Sequence, residues 1–214
     1  MESKSINLYY FGCNNRAAMI RASLEYGKIP FNDIKYGFEE WVKVKPTMEF
    51  GQLPALEVDG VFYVQSMATL VYVATQVGIM GTTPEEEYGV ISLLCSFEDI
   101  YSKAHVFLYT GKTEEAKEES LNAFPAFITP ILASYEKRAV KNGGKYMVGN
   151  SFSLADIYVS FIFNQIFAWK AREEALLPLF KEHAPTVYSI VQSVMANELN
   201  SFYTNGGWIK ESPF

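Results

Sequence analysis

The sequence predicts a two-domain protein in which an α/β domain with a four-stranded mixed sheet precedes an all-α domain. Three observations support this prediction. Strand and helix signals alternate over residues 1–80, and a stretch rich in Gly, Thr, Pro and Glu then interrupts them at residues 78–87. Beyond that stretch the strand signals stop. We therefore expect a first domain over 1–80, a linker at 78–87 and a helical domain over 88–214.

The first domain is expected to begin with a βαβ unit. Residues 6–11 are an apolar, aromatic strand candidate, and residues 16–26 have helical character with Gly27 as a C-terminal stop. Residues 31–36 give a second strand, which the helical crossover makes parallel to the first. Residues 37–51 show no regular pattern and are expected to be irregular.

The most specific stretch of the chain is residues 50–68, where a bend, a hairpin and a helix start follow one another. Pro54 has no N–H group and suits the first residue of a strand, and Asp59-Gly60 is a strong two-residue turn signal. Ser66 is the expected N-cap of the next helix, whose free N–H groups favour an anion. The order βαβ, loop, ββα is thioredoxin-like. By itself, this run is equally consistent with a hairpin that simply leads into a capped helix.

The second domain carries helix signals only. The run Ser153-Leu154-Ala155-Asp156 matches a capping box in which Asp replaces Glu. The four segments expected to be helical are 88–110, 113–142, 153–170 and 185–200.

Composition and charge narrow the function class. A hydrophobic content of 49% and a charged content of 20% are typical of a soluble globular protein, and a net charge of −6 argues against nucleic acid as a partner. Cys13 and Cys95 form neither a metal-ligand spacing nor a disulfide framework, so no metal site is predicted. No apolar segment is long enough to span a membrane, and the N-terminus lacks a signal-peptide core. We expect a cytoplasmic protein.

Nearly the whole chain resembles the cytosolic glutathione S-transferases. The resemblance rests on Tyr10-Phe11, on Gln52-Leu53-Pro54, on Gln65-Ser66 and on residues 149–156, in this order and at this spacing. It is strongest to the sigma class, which includes haematopoietic prostaglandin D synthase. The resemblance implies glutathione as co-substrate, a small hydrophobic electrophile as second substrate, a role in detoxification, a homodimer and a cis peptide bond before Pro54.

The resemblance also implies the site residues. Tyr10 would be catalytic, since its hydroxyl donates a hydrogen bond to the glutathione sulfur and favours the thiolate. Gln65 and Ser66 would hold the γ-glutamyl group, and Asp99 would be contributed by the neighbouring subunit. The implied glutathione-binding residues are Phe11, Arg16, Trp41, Lys45, Gln52, Leu53, Pro54, Gln65, Ser66 and Asp99.

The chain departs from the sigma pattern in the turn after Tyr10. Where that class usually carries Arg-Gly-Arg-Ala-Glu, this chain has Asn14-Asn15-Arg16-Ala17-Ala18. In the family this turn lies between the glutathione site and the acceptor pocket. The acceptor, and the choice among conjugation, isomerisation and peroxide reduction, therefore stay open.

Several alternatives also stay open. Cys13 precedes the first helix, where cysteine-type transferases and thiol-transferring proteins carry their nucleophile. A scaffold protein with a weak or silent site is another reading of the same fold. Phe50 is either a core residue or an aromatic that docks into a partner subunit, and Tyr158 is either an acceptor-pocket residue or core.

Overall fold

A computed structural model describes residues 5–170 and 172–208. The chain divides into two units. One runs to Gly78 and takes in the described residues from Ser201 on, and the other spans Ile79–Asn200. Within the described residues, no helix combines the length and the apolar character needed to cross a membrane.

The first unit is built on the predicted four-stranded mixed sheet, which is confirmed. Its strands are β1 (Ile6–Phe11), β2 (Asn32–Tyr36), β3 (Ala55–Val58) and β4 (Val61–Val64), in the order β2-β1-β3-β4. β1 and β2 are parallel, as the crossover predicts, and the other two pairs are antiparallel. Asp59 and Gly60 both have positive φ, 50° and 84°, which the two-residue turn between β3 and β4 requires.

Three helices accompany the sheet: α1 (Ala18–Tyr26), α2 (Phe38–Val44) and α3 (Ser66–Val77). The expectation of an irregular segment at 37–51 is wrong, because it contains α2. The Glu40 carboxylate accepts a hydrogen bond from the Gly37 N–H at 3.0 Å and so closes the first turn of α2. No residue of α2 is buried, so α2 lacks the apolar face that would reveal it in the sequence.

The second unit is helical, and two π-helical turns, Val106–Thr110 and Phe163–Phe167, extend its second and fourth helices. The helices are α4 (Pro84–Leu94), α5 (Phe97–His105), α6 (Glu114–Lys141), α7 (Leu154–Ile162), α8 (Glu173–His183), α9 (Pro185–Ala196) and, across the boundary between the units, α10 (Asn200–Thr204).

The helix ends follow local signals. α4 begins inside the stretch expected to be a linker, because the Thr83 hydroxyl caps it by accepting the Glu86 N–H at 3.2 Å. The predicted capping box of α7 is confirmed. The Asp156 carboxylate accepts the Ser153 N–H at 2.9 Å and the Met147 N–H at 2.8 Å. These groups are all buried, and burial raises the pKa of Asp156 to about 6.

Candidate functional site

Three strand ends meet at one edge of the sheet in the first unit. Tyr9 of β1 pairs with Ala55 of β3, and Ala55 pairs with Val64 of β4. Tyr10, Pro54 and Gln65 each lie one residue beyond this row. The register thus brings together the three motifs on which the resemblance rests.

Tyr10 lies at this edge with only 5% of its surface exposed. Its hydroxyl oxygen accepts the backbone N–H of Arg16 at 3.3 Å, and the Arg21 guanidinium carbon lies 5.8 Å from the ring centroid. Burial raises the pKa of Tyr10, against the lowering effects of the Arg16 N–H and of the nearby cations. Tyr10 therefore remains protonated at neutral pH and can donate its hydroxyl hydrogen.

The neighbouring Tyr9 has a different role. Its hydroxyl donates to the Glu57 carboxylate at 2.6 Å, and its ring stacks with those of Tyr36 and Phe62 at centroid distances of 6.0 and 5.9 Å. Burial, followed by the hydrogen bond to Glu57, raises the pKa of Tyr9 to about 12. Since its hydrogen is already engaged, Tyr9 is not a candidate donor to a ligand.

The loop after β1 is held by a residue that the sequence analysis missed. Arg21 is buried in α1 and donates to the carbonyl oxygens of Cys13 at 2.7 Å and of Phe11 at 3.3 Å. It also forms an ion pair with Asp33 at 3.1 Å. The sequence signal that could have identified Arg21 is that it is a single cationic residue in the middle of the apolar run of α1.

The turn that departs from the sigma pattern keeps the main-chain conformation of a glycine turn. Asn15, which stands where the sigma pattern has glycine, has a φ of 39°. Asn is among the non-glycine residues most often found at positive φ. Asn14 is buried, and its carbonyl oxygen accepts the Ala18 N–H at 3.0 Å. The positive φ of Asn15 is therefore one that a glycine at this position could also adopt.

Trp41 and Lys45 reach the site from α2 and the turn after it. The Trp41 ring meets that of Phe11 edge-on, at 5.9 Å between centroids and 87° between planes. Lys45 is exposed, and its stem passes beside Gly51, where an added Cβ would lie 3.5 Å from the Lys45 Cε. Gly51 has a φ of 57°, so this approach uses a conformation that favours glycine.

The start of α3 forms the other wall of the site. The Gln65 side-chain amide donates to the Gln52 side-chain oxygen at 3.4 Å, and the Leu53–Pro54 peptide bond is cis, as the resemblance implies. The expectation that Ser66 is the N-cap is wrong. Gln65 occupies that position with φ 69° and ψ 106°, and Ser66 is the first helical residue.

The backbone of Gln65 is strained in a way that suits ligand binding. A non-glycine residue in a sparsely populated conformation costs about 1–3 kcal/mol and is found preferentially at ligand clamps and active sites. Directly after it, the first N–H groups of α3 have no partner within the helix and attract negative charge. The edge of the sheet therefore presents a helix N-terminus beside Gln65.

Three further residues named from the sequence differ in their burial. Asp99 is exposed in the first turn of α5, in the second unit. Tyr158 is fully buried in α7, and its hydroxyl lies 3.0 Å from those of Ser96 and Tyr135, which favours the core reading. Phe50 is 56% exposed, so the reading as a core residue is wrong.

The described residues were also compared with the two other kinds of site that the sequence raised, a reactive cysteine and a metal site. Neither Cys13 nor Cys95 is in a disulfide bond, and Cys13 is only 3% exposed. In the part of the chain that the structure describes, no group of three or more His, Cys, Asp or Glu side chains is placed to hold a metal ion.

Comparison with known proteins gives consistent matches over nearly the whole chain. Residues 5–75 match the model for the glutathione S-transferase N-terminal domain, and residues 98–199 match a model for its C-terminal domain. A glutathione S-transferase of Anopheles gambiae is 31% identical, over 89% of this chain and 91% of the relative.

Two solved structures are also similar. A monomeric glutathione S-transferase of Necator americanus has a TM-score of 0.86 at 28% identity, covering 98% of this chain and 100% of that one. A sigma class transferase of Fasciola hepatica has a TM-score of 0.80 at 25% identity, covering 95% and 97%. These matches confirm the predicted family and agree with its sigma-like character.

Proposed function

Because the chain belongs to the glutathione S-transferase family, we propose that it activates the glutathione thiol through Tyr10 for attack on small hydrophobic electrophiles. Membership of the family makes the chain a transferase with glutathione as its co-substrate. The observation that carries the finer proposal is the state of Tyr10. It is protonated, it lies at the edge where the three motifs meet, and its oxygen already accepts the Arg16 N–H.

The rest of this edge suits the charges of glutathione, which has two carboxylates and one ammonium group. The N-terminus of α3 beside Ser66 suits the γ-glutamyl carboxylate. Lys45 and the Trp41 indole N–H suit the glycine carboxylate. Gln52, Leu53 and Gln65 offer amide and main-chain groups between them. Asp99 of a second subunit would pair with the ammonium.

The energetic requirement is modest. A free thiol with a pKa near 8.5 is only about 3% ionised at neutral pH. Lowering that pKa by about two units makes the thiolate the major form and needs roughly 2.7 kcal/mol. A hydrogen bond to a charged acceptor contributes about 1.5–3 kcal/mol, so the hydrogen bond from Tyr10 can supply this amount.

The test is a Tyr10→Phe variant, with Tyr9→Phe as its matched control. We expect the pKa of bound glutathione to rise towards 8.5 in Tyr10→Phe, and conjugation of an aryl halide to fall at least tenfold. Tyr9→Phe removes a hydroxyl whose partners are Glu57 and Asn7 and not the groups around Tyr10, so both quantities should stay within about threefold of wild type. An unchanged thiol pKa in Tyr10→Phe would rule out Tyr10 as the activator.

The alternative functions have distinct tests. Cys13 is too buried to attack a substrate without local opening, which disfavours the thiol-transferase reading. If conjugation is lost only after a reagent blocks Cys13, that reading is restored. A scaffold protein would neither bind immobilised glutathione nor conjugate an aryl halide. An isomerase would convert its substrate without consuming glutathione.

The quaternary structure, location and role are proposals as well. We infer a homodimer in which the exposed Phe50 docks into the partner subunit, within a cytoplasmic protein that acts in detoxification. The Necator americanus relative is described as monomeric, so the oligomeric state of this chain needs measurement. Light scattering should show that the wild-type protein is a dimer. The Phe50→Ala variant should show a larger fraction of monomer at the same concentration. A wild-type monomer would contradict the inference.

A further inference from the structure

The first unit contains an open pocket at the end of the sheet away from Tyr10. We call it the basal pocket. Its volume is about 450 Å³, and its floor is formed by the buried side chains of Leu24, Leu56, Val58 and Val73. Sites for small molecules typically have volumes of about 300–1,000 Å³ and largely apolar walls. The basal pocket fits both criteria.

The basal pocket is separate from the candidate glutathione site. Ile6 lines it at the start of β1, whereas Tyr10 is four residues further on, a distance of about 13 Å along a strand. Gln76 lines it near the end of α3, ten residues and about 15 Å along the helix from Ser66. Leu56 is the lining residue nearest to the glutathione site, two residues and about 7 Å along β3 from Pro54, so the two sites are neighbours along the sheet but are lined by different residues.

The walls of the basal pocket are fixed by tight contacts. Gly27 at the end of α1 lies so close to α3 that an added Cβ would be 2.6 Å from a Val77 methyl carbon. The Ile29 N–H donates to the Leu24 carbonyl oxygen at 2.9 Å, and Pro30 follows with a ring-restricted φ. These contacts hold the ends of α1 and α3 and the intervening wall in place, so the pocket is largely preformed.

The chemistry of the lining selects the type of ligand. None of the side chains lining the basal pocket carries a charge. A charged ligand would lose hydration there without a compensating partner. Gln76 lies exposed at the rim, and its side-chain amide makes no hydrogen bond to any residue that the structure describes. We propose that the basal pocket is a second ligand site, which binds an uncharged, mainly apolar small molecule whose single polar group bonds to Gln76.

The experiment uses the uncharged fluorophore N-phenyl-1-naphthylamine, whose emission rises in apolar surroundings. Excess S-hexylglutathione is present throughout to occupy the proposed glutathione site and the adjoining acceptor site. We expect saturable binding of one probe per chain that S-hexylglutathione does not displace. Methyl NMR of the wild-type protein should show probe-induced shifts at Leu24, Val58 and Val73. The absence of saturable probe binding in the presence of S-hexylglutathione, or the absence of those shifts, would overturn the proposal.

Two variants locate the probe further. Val73→Phe extends the floor into the basal pocket and should weaken probe binding at least tenfold. Val71→Phe, on the same helix but outside the lining, should bind within twofold of wild type. Ile29→Trp narrows the rim and should weaken binding even if Val73→Phe fails to fold. Wild-type affinity in a folded Val73→Phe or in Ile29→Trp would refute the site. The proposed role of Tyr10 is tested without this probe, so the two proposals can fail separately.

Discussion

Replacement of Asp156 by alanine should destabilise the second unit strongly. One carboxylate oxygen accepts the Met147 N–H at 2.8 Å, and the other accepts the Ser153 N–H at 2.9 Å and the Ser153 hydroxyl at 3.0 Å. All three residues are buried, so water does not replace the lost acceptor. A buried donor left without a partner costs about 1–3 kcal/mol, and three such donors together cost roughly 3–9 kcal/mol. This is a large part of the roughly 5–15 kcal/mol stability of a typical domain.

Thermal unfolding at pH 7.5, followed by circular dichroism, measures this effect. For a chain of this size each kcal/mol corresponds to about 2–4 °C, so Asp156→Ala should lower Tm by roughly 10 °C or more. Glu86→Ala is the matched control. Glu86 accepts the Thr82 N–H and hydroxyl, both at 2.7 Å, but it is only half-buried and these hydrogen bonds are exposed, so water can take its place at a cost of about 1 kcal/mol or less. If the two variants melt within about 3 °C of each other, the burial argument is refuted.

Three further predictions concern stability. A carboxyl whose pKa is raised on folding stabilises most below its unfolded value, and this contribution is lost as the pH rises through the folded value. Since the pKa of Asp156 is raised from 3.8 to about 6, the Tm advantage of wild type over Asp156→Ala at pH 7.5 should be the smaller remainder of a difference that is larger still near pH 4; the same difference at both pH values would contradict this. Arg21→Met leaves the carbonyl oxygens of Cys13 and Phe11 without their donor, while Asp33 keeps Lys35 at 3.3 Å; urea unfolding should show a loss of about 2–6 kcal/mol, whereas a loss below about 1 kcal/mol would be incompatible with this role. Gly27→Ala forces a contact with Val77 and should cost about 1–3 kcal/mol, which Val77→Ala in the same chain should partly restore; additive effects in that double-mutant cycle would exclude the clash.

The elements that the sequence predicted are those with strong local signals. β1 and the hairpin of β3 and β4 have apolar patterns bounded by turn residues, and the capping box marks the start of α7. The missed elements lack such signals. α2 buries none of its residues, and α8 carries Pro178 in its interior, which usually argues against a helix.

The candidate site was predictable for a different reason. Physical reasoning from the residues alone placed a helix start and a hairpin at 50–68 but gave no ligand, and the ligand came from the resemblance. The structure adds the strand register that joins Tyr10, Pro54 and Gln65. The buried Arg21 was missed because its partners are carbonyl groups of a loop, whose position a sequence does not reveal.

The departures in the turn after Tyr10 bear more on the second substrate than on glutathione. Asn15 keeps the positive φ for which a glycine would be suited, and the Asn14 carbonyl oxygen still accepts the Ala18 N–H. The Arg16 backbone N–H still reaches the Tyr10 hydroxyl. These contacts involve the main chain, so they do not depend on the side chains that have changed. The side chains of the turn do differ from the sigma pattern. Because this turn adjoins the acceptor pocket in the family, we expect the difference to affect which electrophile is accepted. Activation of the thiol by Tyr10 is therefore compatible with this turn. The side chains of Asn14, Asn15 and Ala18 are the first positions to mutate in a search for the electrophile.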